Sequence, residues 1–305
     1  MDDSEVHIAS RSIHVDCNDP PQVSFAPLKG QDLPSRSKPW TESELPVDIL
    51  LLTVKDCEFL SCISYLNPGY HKSYHTNLGY VYFGKMGKEE CLKVAVMECF
   101  VGSGPAASFT TVKDAVALLK PKCVFCVGFC SGLNISNEVK LGDVVISGKY
   151  LTETKSKNQK RSVTDPISSR IASIIKRAAD GWSPPLIDPK EREVNVHVGG
   201  LFLSGTEEEL NNVEQREELV KRFPQATAIV TESEGESCET LYDQSISQNI
   251  SAPHLCHLMI FIKAPVHLSW CVKTNSFPSV PLSVLLQAIC LPLVKGHVPL
   301  NYGKA

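Results

Sequence analysis

The sequence predicts an α/β layered domain built on a largely parallel sheet. Three observations carry this. The run VDILLLTV (residues 47–54) is apolar throughout, as expected of a strand buried on both faces. Further short apolar runs alternate with stretches of helical spacing along the next two hundred or so residues. Turn punctuation falls at the junctions, at Asn67-Pro68-Gly69, Gly87-Lys88 and Lys120-Pro121-Lys122.

Taken in order, the strand at 47–54 is followed by helical spacing over 58–66, which Asn67-Pro68-Gly69 stops. Strands are expected at 80–86 and 92–98. Gly102-Ser103-Gly104-Pro105 opens a helix over 106–119, and a strand follows at 123–127. Gly128-Phe129-Cys130-Ser131-Gly132 is expected to be a glycine-bounded loop, and Leu141-Gly142-Asp143 leads into a strand at 144–147. After a polar excursion over 152–164, Asp165-Pro166 caps a helix running to 179. A strand at 194–203 ends at Ser204-Gly205, a helix spans 213–223, and a short buried strand occupies 226–230. In such sheets the loops at the carboxyl ends of strands carry ligands.

The ends of the chain differ from its middle. Residues 1–45 are polar and dotted with prolines, which predicts a disordered N-terminal arm. The expected folded domain is 46–250. After Asp243 the chain contains neither Asp nor Glu and is rich in Pro, Ser, His, Cys and Leu. Chance, a membrane-leaning tail and translation through an altered splice or reading frame would each produce this. We read 251–305 as an atypical tail of the last kind, because periodicity fades at the same point.

Composition excludes several classes. Hydrophobic residues make up 43% of the 305-residue chain and charged residues 21%, as in ordinary globular proteins. A formal net charge of -4 carries no polyanion-binding signal, so nucleic acid is not expected as a partner. No apolar run approaches the length of a membrane span, and no leader pattern opens the sequence. The 12 cysteines are scattered through apolar runs, as free thiols are in a reducing compartment, and we expect a cytoplasmic protein. Cys123 and Cys126 on one strand would point to opposite faces and could not share a metal ion. No metal and no cofactor is expected.

Four pieces could carry chemistry, and each has a plain structural alternative. Glu58 lies one turn past a buried strand, where a carboxylate also serves as a helix cap. Gly102-Ser103-Gly104 could hold an anion at a helix N-terminus, or merely turn. It lacks the third glycine and downstream acid of a dinucleotide site, which argues against an oxidoreductase. Gly128 to Gly132 would let backbone approach a ligand, or merely bend. Thr231-Glu232-Ser233-Glu234-Gly235-Glu236 would ordinarily be a solvated face, yet it directly follows a buried strand.

In this order along the chain, these pieces resemble the nucleoside phosphorylase and nucleosidase superfamily, and within it the methylthioadenosine/S-adenosylhomocysteine nucleosidase branch. The resemblance covers residues 46–250 and rests on DILLLTVKDCEF, GSGPAAS, KPKCVFCVGFCSGLN with VKLGDVVIS, and GGLFLSG with RFPQATAIVTESEGES. It implies a three-layer α/β/α domain with a mixed, largely parallel central sheet. It also implies cleavage of the N-glycosidic bond of a purine nucleoside by a homodimer.

Residue by residue, the resemblance makes Glu58 the carboxylate that activates water and Glu234 the acceptor of the ribose hydroxyls. Ser103, Gly104, Phe129, Cys130, Ser131, Gly132, Ser204, Gly205, Glu232 and Ser233 border the nucleoside. Departures accompany the match. Ser233 stands where the motif carries methionine. Cys126 stands where phosphate-using relatives carry arginine, and TVKDCEFL has no arginine either, so hydrolysis is favoured over phosphorolysis. The family's last core strand ends in a Ser/Cys-Asp pair whose aspartate protonates the leaving base, and this chain has no aspartate after Asp243. Losing a general acid costs about 10²–10⁴-fold in rate. The alternative is therefore a catalytically impaired nucleoside-binding sensor or interaction module.

Overall fold

The computed structural model describes residues 28–87, 91–99, 105–132, 143–147, 149–153, 160–163, 195–205, 212–231 and 256–263. The expected helix over 165–179 lies outside them.

The core begins with β2 (Ile49–Thr53), all five residues of which are buried. It pairs in parallel with β5 (Leu92–Glu98) on one edge and with β6 (Cys123–Gly132) on the other. Alternation along these strands divides the core into two layers. Ile49 and Leu51 of β2, with Cys123, Phe125, Val127 and Phe129 of β6, pack on Phe59, Cys62 and Ile63 of helix α1 (Asp56–Ile63). Leu50 and Leu52, with Val124, Cys126 and Cys130, pack on Val112, Ala115 and Leu119 of helix α2 (Pro105–Leu119). Helices thus cover both faces of the sheet, the three-layer arrangement. Burying both faces explains why β2 reads as an unbroken apolar run. The same alternation puts Cys123 and Cys126 on opposite faces of β6.

On the β5 side the sheet continues antiparallel through β4 (Gly79–Met86) and β3 (His71–His75) to a two-residue parallel strand, β1 (Ser37–Lys38). The strand β3 was not anticipated, since HKSYH has no apolar alternation to announce it. Residues from 28 on are not the disordered arm expected through 45. Trp40 meets Phe83 edge-on with centroids 5.5 Å apart, and Leu28 and Leu33 pack against the α1-side core. These aromatic and aliphatic anchors outweigh the prolines around them.

On the other side, β6 is paired twice over. Its length from Cys123 to Cys130 runs parallel to β13 (Cys256–Lys263). Its tip, Ser131 and Gly132, pairs antiparallel with Ile229 and Ala228 of β12 (Ala226–Thr231). The glycine-bounded loop expected at Gly128 to Gly132 is therefore strand, because neighbours on β13 and β12 supply backbone hydrogen bonds to its end. The strand β13 was also not anticipated. CHLMIFIK is an apolar run, and both β6 and β7 (Val144–Ser147) pair with it. The sheet thereby includes residues beyond 250.

The remaining described strands are β8 (Lys149–Glu153), β9 (Lys160–Val163), β10 (Val196–Val198) and β11 (Leu201–Gly205). One strand was expected over 194–203, but it breaks at Gly199, whose φ of +86° is left-handed. Gly200 then passes so close to its neighbours that a Cβ there would meet Thr227 and Val145 at 3.1 Å. Before the break β10 pairs with β7, and after it β11 pairs with β8 and β12. Helix α3 (Val213–Arg222) begins under Asn212, whose side chain accepts from the backbone of Glu214 and Gln215. It packs Leu219 against Leu203 and Ile229. Among the described residues seven strand pairings are parallel and five antiparallel, giving a mixed, largely parallel sheet.

Candidate functional site

The carboxyl ends of β2, β5, β6 and β13 lie at one end of the sheet, because these strands are mutually parallel. There β2 ends at Thr53, and Val54 and Lys55 lead into α1. Glu58, in the first turn of α1, is only 3% exposed. Its Oε2 accepts hydrogen bonds from the backbone N–H groups of Val54 and Lys55, both at 3.0 Å. The first N–H groups of a helix have no intrahelical acceptor, and a carboxylate in the first turn satisfies N–H groups at the helix entrance while favouring the positive end of the dipole. The plain alternative for Glu58, a helix cap, is thus realised. The capping bonds also fix its carboxylate at the carboxyl edge of the sheet. The negative charge acts on its surroundings: Cys62, fully buried one turn on, has its thiol held far above the ordinary range, first by burial and then by Glu58.

Lys55 contributes in a second way. Its ammonium stands 5.3 Å from the centroid of the Phe129 ring. Phe129 and Cys130 are buried on β6, at 6% and 3% exposure. The structure therefore links the segment around Glu58 to Phe129 through Lys55. Ser131 and Gly132 extend the same strand to β12. The register Ala228↔Gly132 and Ile229↔Ser131 carries β12 back alongside β6 toward Cys130. Gly205 and Thr231 are paired at the ends of β11 and β12, with Ser204 opposite Val230. Glu232, Ser233 and Glu234, which follow β12 directly, lie outside the described residues, as do Ser103 and Gly104.

Two acid groupings were not singled out from the sequence. The carboxyl of Glu98, at the end of β5 opposite Thr53, is hydrogen-bonded to Asp56 and pushed up to about 7, chiefly by burial and then by Asp56. Both line a cavity of about 230 Å³ with Gly30, Leu33, Phe59, Leu60, Tyr80 and Tyr82. The only sequence signal was an acid closing an apolar run, which is common at strand ends. The second grouping involves Asp143, in the run VKLGDVVIS. Its carboxylate is fully buried, accepts from the Asn195 N–H at 2.9 Å, and lies 2.8 Å from Nε2 of His197. It ties the start of β7 to β10. His197 could not have been found from spacing, since 54 residues separate the partners.

Among the described residues no cluster of three or more His, Cys, Asp or Glu side chains could hold a metal ion. No described helix is long and apolar enough to cross a membrane.

No protein-family model matches the sequence, and no curated protein matches it by sequence. Solved structures do match by shape. A 5′-methylthioadenosine/S-adenosylhomocysteine nucleosidase from Colwellia psychrerythraea, in complex with adenine, aligns with a TM-score of 0.55 at 13% identity, over 83% of this chain and 97% of its own. The corresponding nucleosidase from Neisseria meningitidis, bound to methylthio-immucillin-A, aligns with a TM-score of 0.53 at 15% identity, over 80% and 98%. A futalosine hydrolase mutant from Helicobacter pylori aligns with a TM-score of 0.52 at 11% identity, over 82% and 99%. This chain has the fold of these nucleosidases over nearly their full length.

Proposed function

We propose that the chain belongs to the nucleoside phosphorylase and nucleosidase superfamily and binds a purine nucleoside at the carboxyl edge of its sheet. On this reading Glu58 is the group that would activate water for cleavage of the N-glycosidic bond. The single observation that carries the reading is the placement of Glu58. In a fold shared with nucleosidases, a buried carboxylate is held by two backbone N–H groups immediately after the central strand, with Phe129 reached through Lys55. Capping holds one carboxylate oxygen in place, which is the positioning a general base needs. Phe129, Cys130 and the chain around Gly205 would border the nucleoside. Glu234 would accept the ribose hydroxyls, since two carboxylate oxygens suit a cis-diol. Cys126 is buried on the face toward α2, and the β2–α1 connection offers one lysine and no arginine. That favours hydrolysis over phosphorolysis. A homodimer remains the expectation the resemblance brings.

One observation favours a second reading, a module that binds a nucleoside without cutting it. The strand β13 lies parallel to β6, where the resemblance expects a strand ending in the acid that protonates the leaving base. It ends at Lys263, paired with Cys130, and is followed by Ala264 and Pro265. No carboxylate follows anywhere in the sequence. Without that acid, base departure would be slower by about 10²–10⁴-fold.

The test is to incubate purified protein with methylthioadenosine, adenosine, inosine and uridine, with and without phosphate, measuring free base and nucleoside binding separately. Slow, phosphate-independent release of purine base supports the nucleosidase. Binding with no release establishes the binding module in its place. Phosphate-dependent release overturns the preference for hydrolysis, and absence of both binding and release overturns the assignment.

A further inference from the structure

At the opposite end of the sheet, by the amino ends of β2 and β5, a second cavity of about 440 Å³ opens. Small-molecule sites typically occupy roughly 300–1,000 Å³. Lys38 of β1, Lys85 of β4 and Lys93 of β5 line it from separate strands. Tyr70, His71 and Phe83 supply rings to its walls. The wall at Tyr70 is packed tight: a Cβ on Gly84 would meet Tyr70 Cβ at 3.0 Å and Leu66 Cδ1 at 2.9 Å.

Two features of this cavity point to an anion. Glu44 lies between Lys85 and Lys93, at 3.8 and 3.6 Å. These contacts are long and half-exposed, hence weak, but they show that the two ammonium groups already converge on one anionic group. Glu42 is the other lining carboxylate, so three cations face two anions and leave a net positive charge. The second feature is His71. Its ring stacks on Phe83, centroids 5.7 Å apart and 25° from parallel, and its Nε2 is buried with no hydrogen-bond partner among the described residues. A buried polar atom in that condition is unusual in a folded chain. Burial holds the His71 pKa below its ordinary value, aided by Lys38 and opposed by Glu42 and Glu44, so the ring is neutral at pH 7.

We propose that this cavity is a second, non-catalytic site that binds a phosphate ester of small-metabolite size. Lys38, Lys85 and Lys93 neutralise the phosphoryl oxygens, His71 supplies a further polar contact, and Tyr70 and Phe83 cover the organic part. The net positive lining suits an anion, and lysine serves as a point-charge partner for phosphate. The volume exceeds what inorganic phosphate alone would fill.

The experiment is calorimetric titration of the full chain with ribose 5-phosphate, alongside NMR titration of His71. Lys38 and Lys85 are exposed, so the double variant K38A/K85A retains the fold. The expected result is binding that weakens about tenfold or more in K38A/K85A, is unchanged in Glu58→Gln, and raises the His71 pKa. Absence of binding at millimolar ligand overturns the proposal. So does equal affinity in K38A/K85A, or loss of binding in Glu58→Gln alone, which would place the ligand at the nucleoside site.

Discussion

The Glu58 carboxylate lies 3.0 Å from the backbone nitrogen of Lys55, three residues earlier, so one side chain caps α1 and occupies the candidate catalytic position. The two roles separate by substitution. Glu58→Gln keeps an acceptor oxygen for the helix entrance and loses the base. Its stability should stay within about 1 kcal/mol of the parent, while any base release falls at least about a hundredfold. Glu58→Ala should lose activity and, in addition, about 1–2 kcal/mol of stability in urea denaturation. Retained base release in Glu58→Gln would remove Glu58 from the chemistry.

Glu98 makes stability depend on pH. Its folded-state pKa, about 7, lies above the ordinary carboxylate value of 4.5, so the folded protein holds a proton that the unfolded chain has released. The stabilisation is fully present below about 4.5 and is lost as pH rises through 7. Glu98→Gln, which cannot ionise, should flatten that slope. Melting temperatures of the two proteins between pH 4.5 and 8 check it, and parallel curves would mean that Glu98 titrates normally.

The part-buried pair of Asp143 and His197 is a structural tie. Removing the carboxylate in Asp143→Ala strands the Asn195 N–H and the His197 ring, and should cost about 3 kcal/mol. His197→Gln, which retains a donor near the carboxylate, should cost less. Chemical denaturation of both variants orders them, and a reversed order would place the stabilising bond elsewhere.

Gly84 permits a close approach rather than a special backbone angle. Gly84→Ala would push a methyl to within 2.9–3.1 Å of Leu66 and Tyr70, and should destabilise by about 1–3 kcal/mol. Gly30→Ala, where a Cβ meets nothing within 4 Å, is the control and should be near neutral.

Much of the layered core was legible because its signals are local. The apolar run of β2 reports burial on both faces, and the strand at Leu92–Glu98 was read to its exact ends. The turn at Asn67-Pro68-Gly69 lies just past a helix, although α1 closes at Ile63 rather than running to the expected 66. Glu58 was legible as a candidate for the same reason, since a carboxylate one turn past a buried strand is visible in the order of residues. What escaped depends on neighbours distant in sequence. Gly128 to Gly132 looks like a loop until β13 and β12 supply its hydrogen bonds. CHLMIFIK looked like part of an acid-free tail until it was seen beside β6 and β7.

By itself, the sequence determined the alternation of strands and helices, the buried central strand and the carboxylate that opens α1, because these follow from side-chain periodicity and helix-end chemistry within a few residues. Only the tertiary structure decided that Lys55 stands over Phe129, that Asp143 meets His197, that the Glu98 carboxyl hydrogen-bonds Asp56, and that three lysines gather at the far end of the sheet. Each of those meetings is set by how strands and helices pack together, which is fixed by the mutual burial of many side chains rather than by any local pattern.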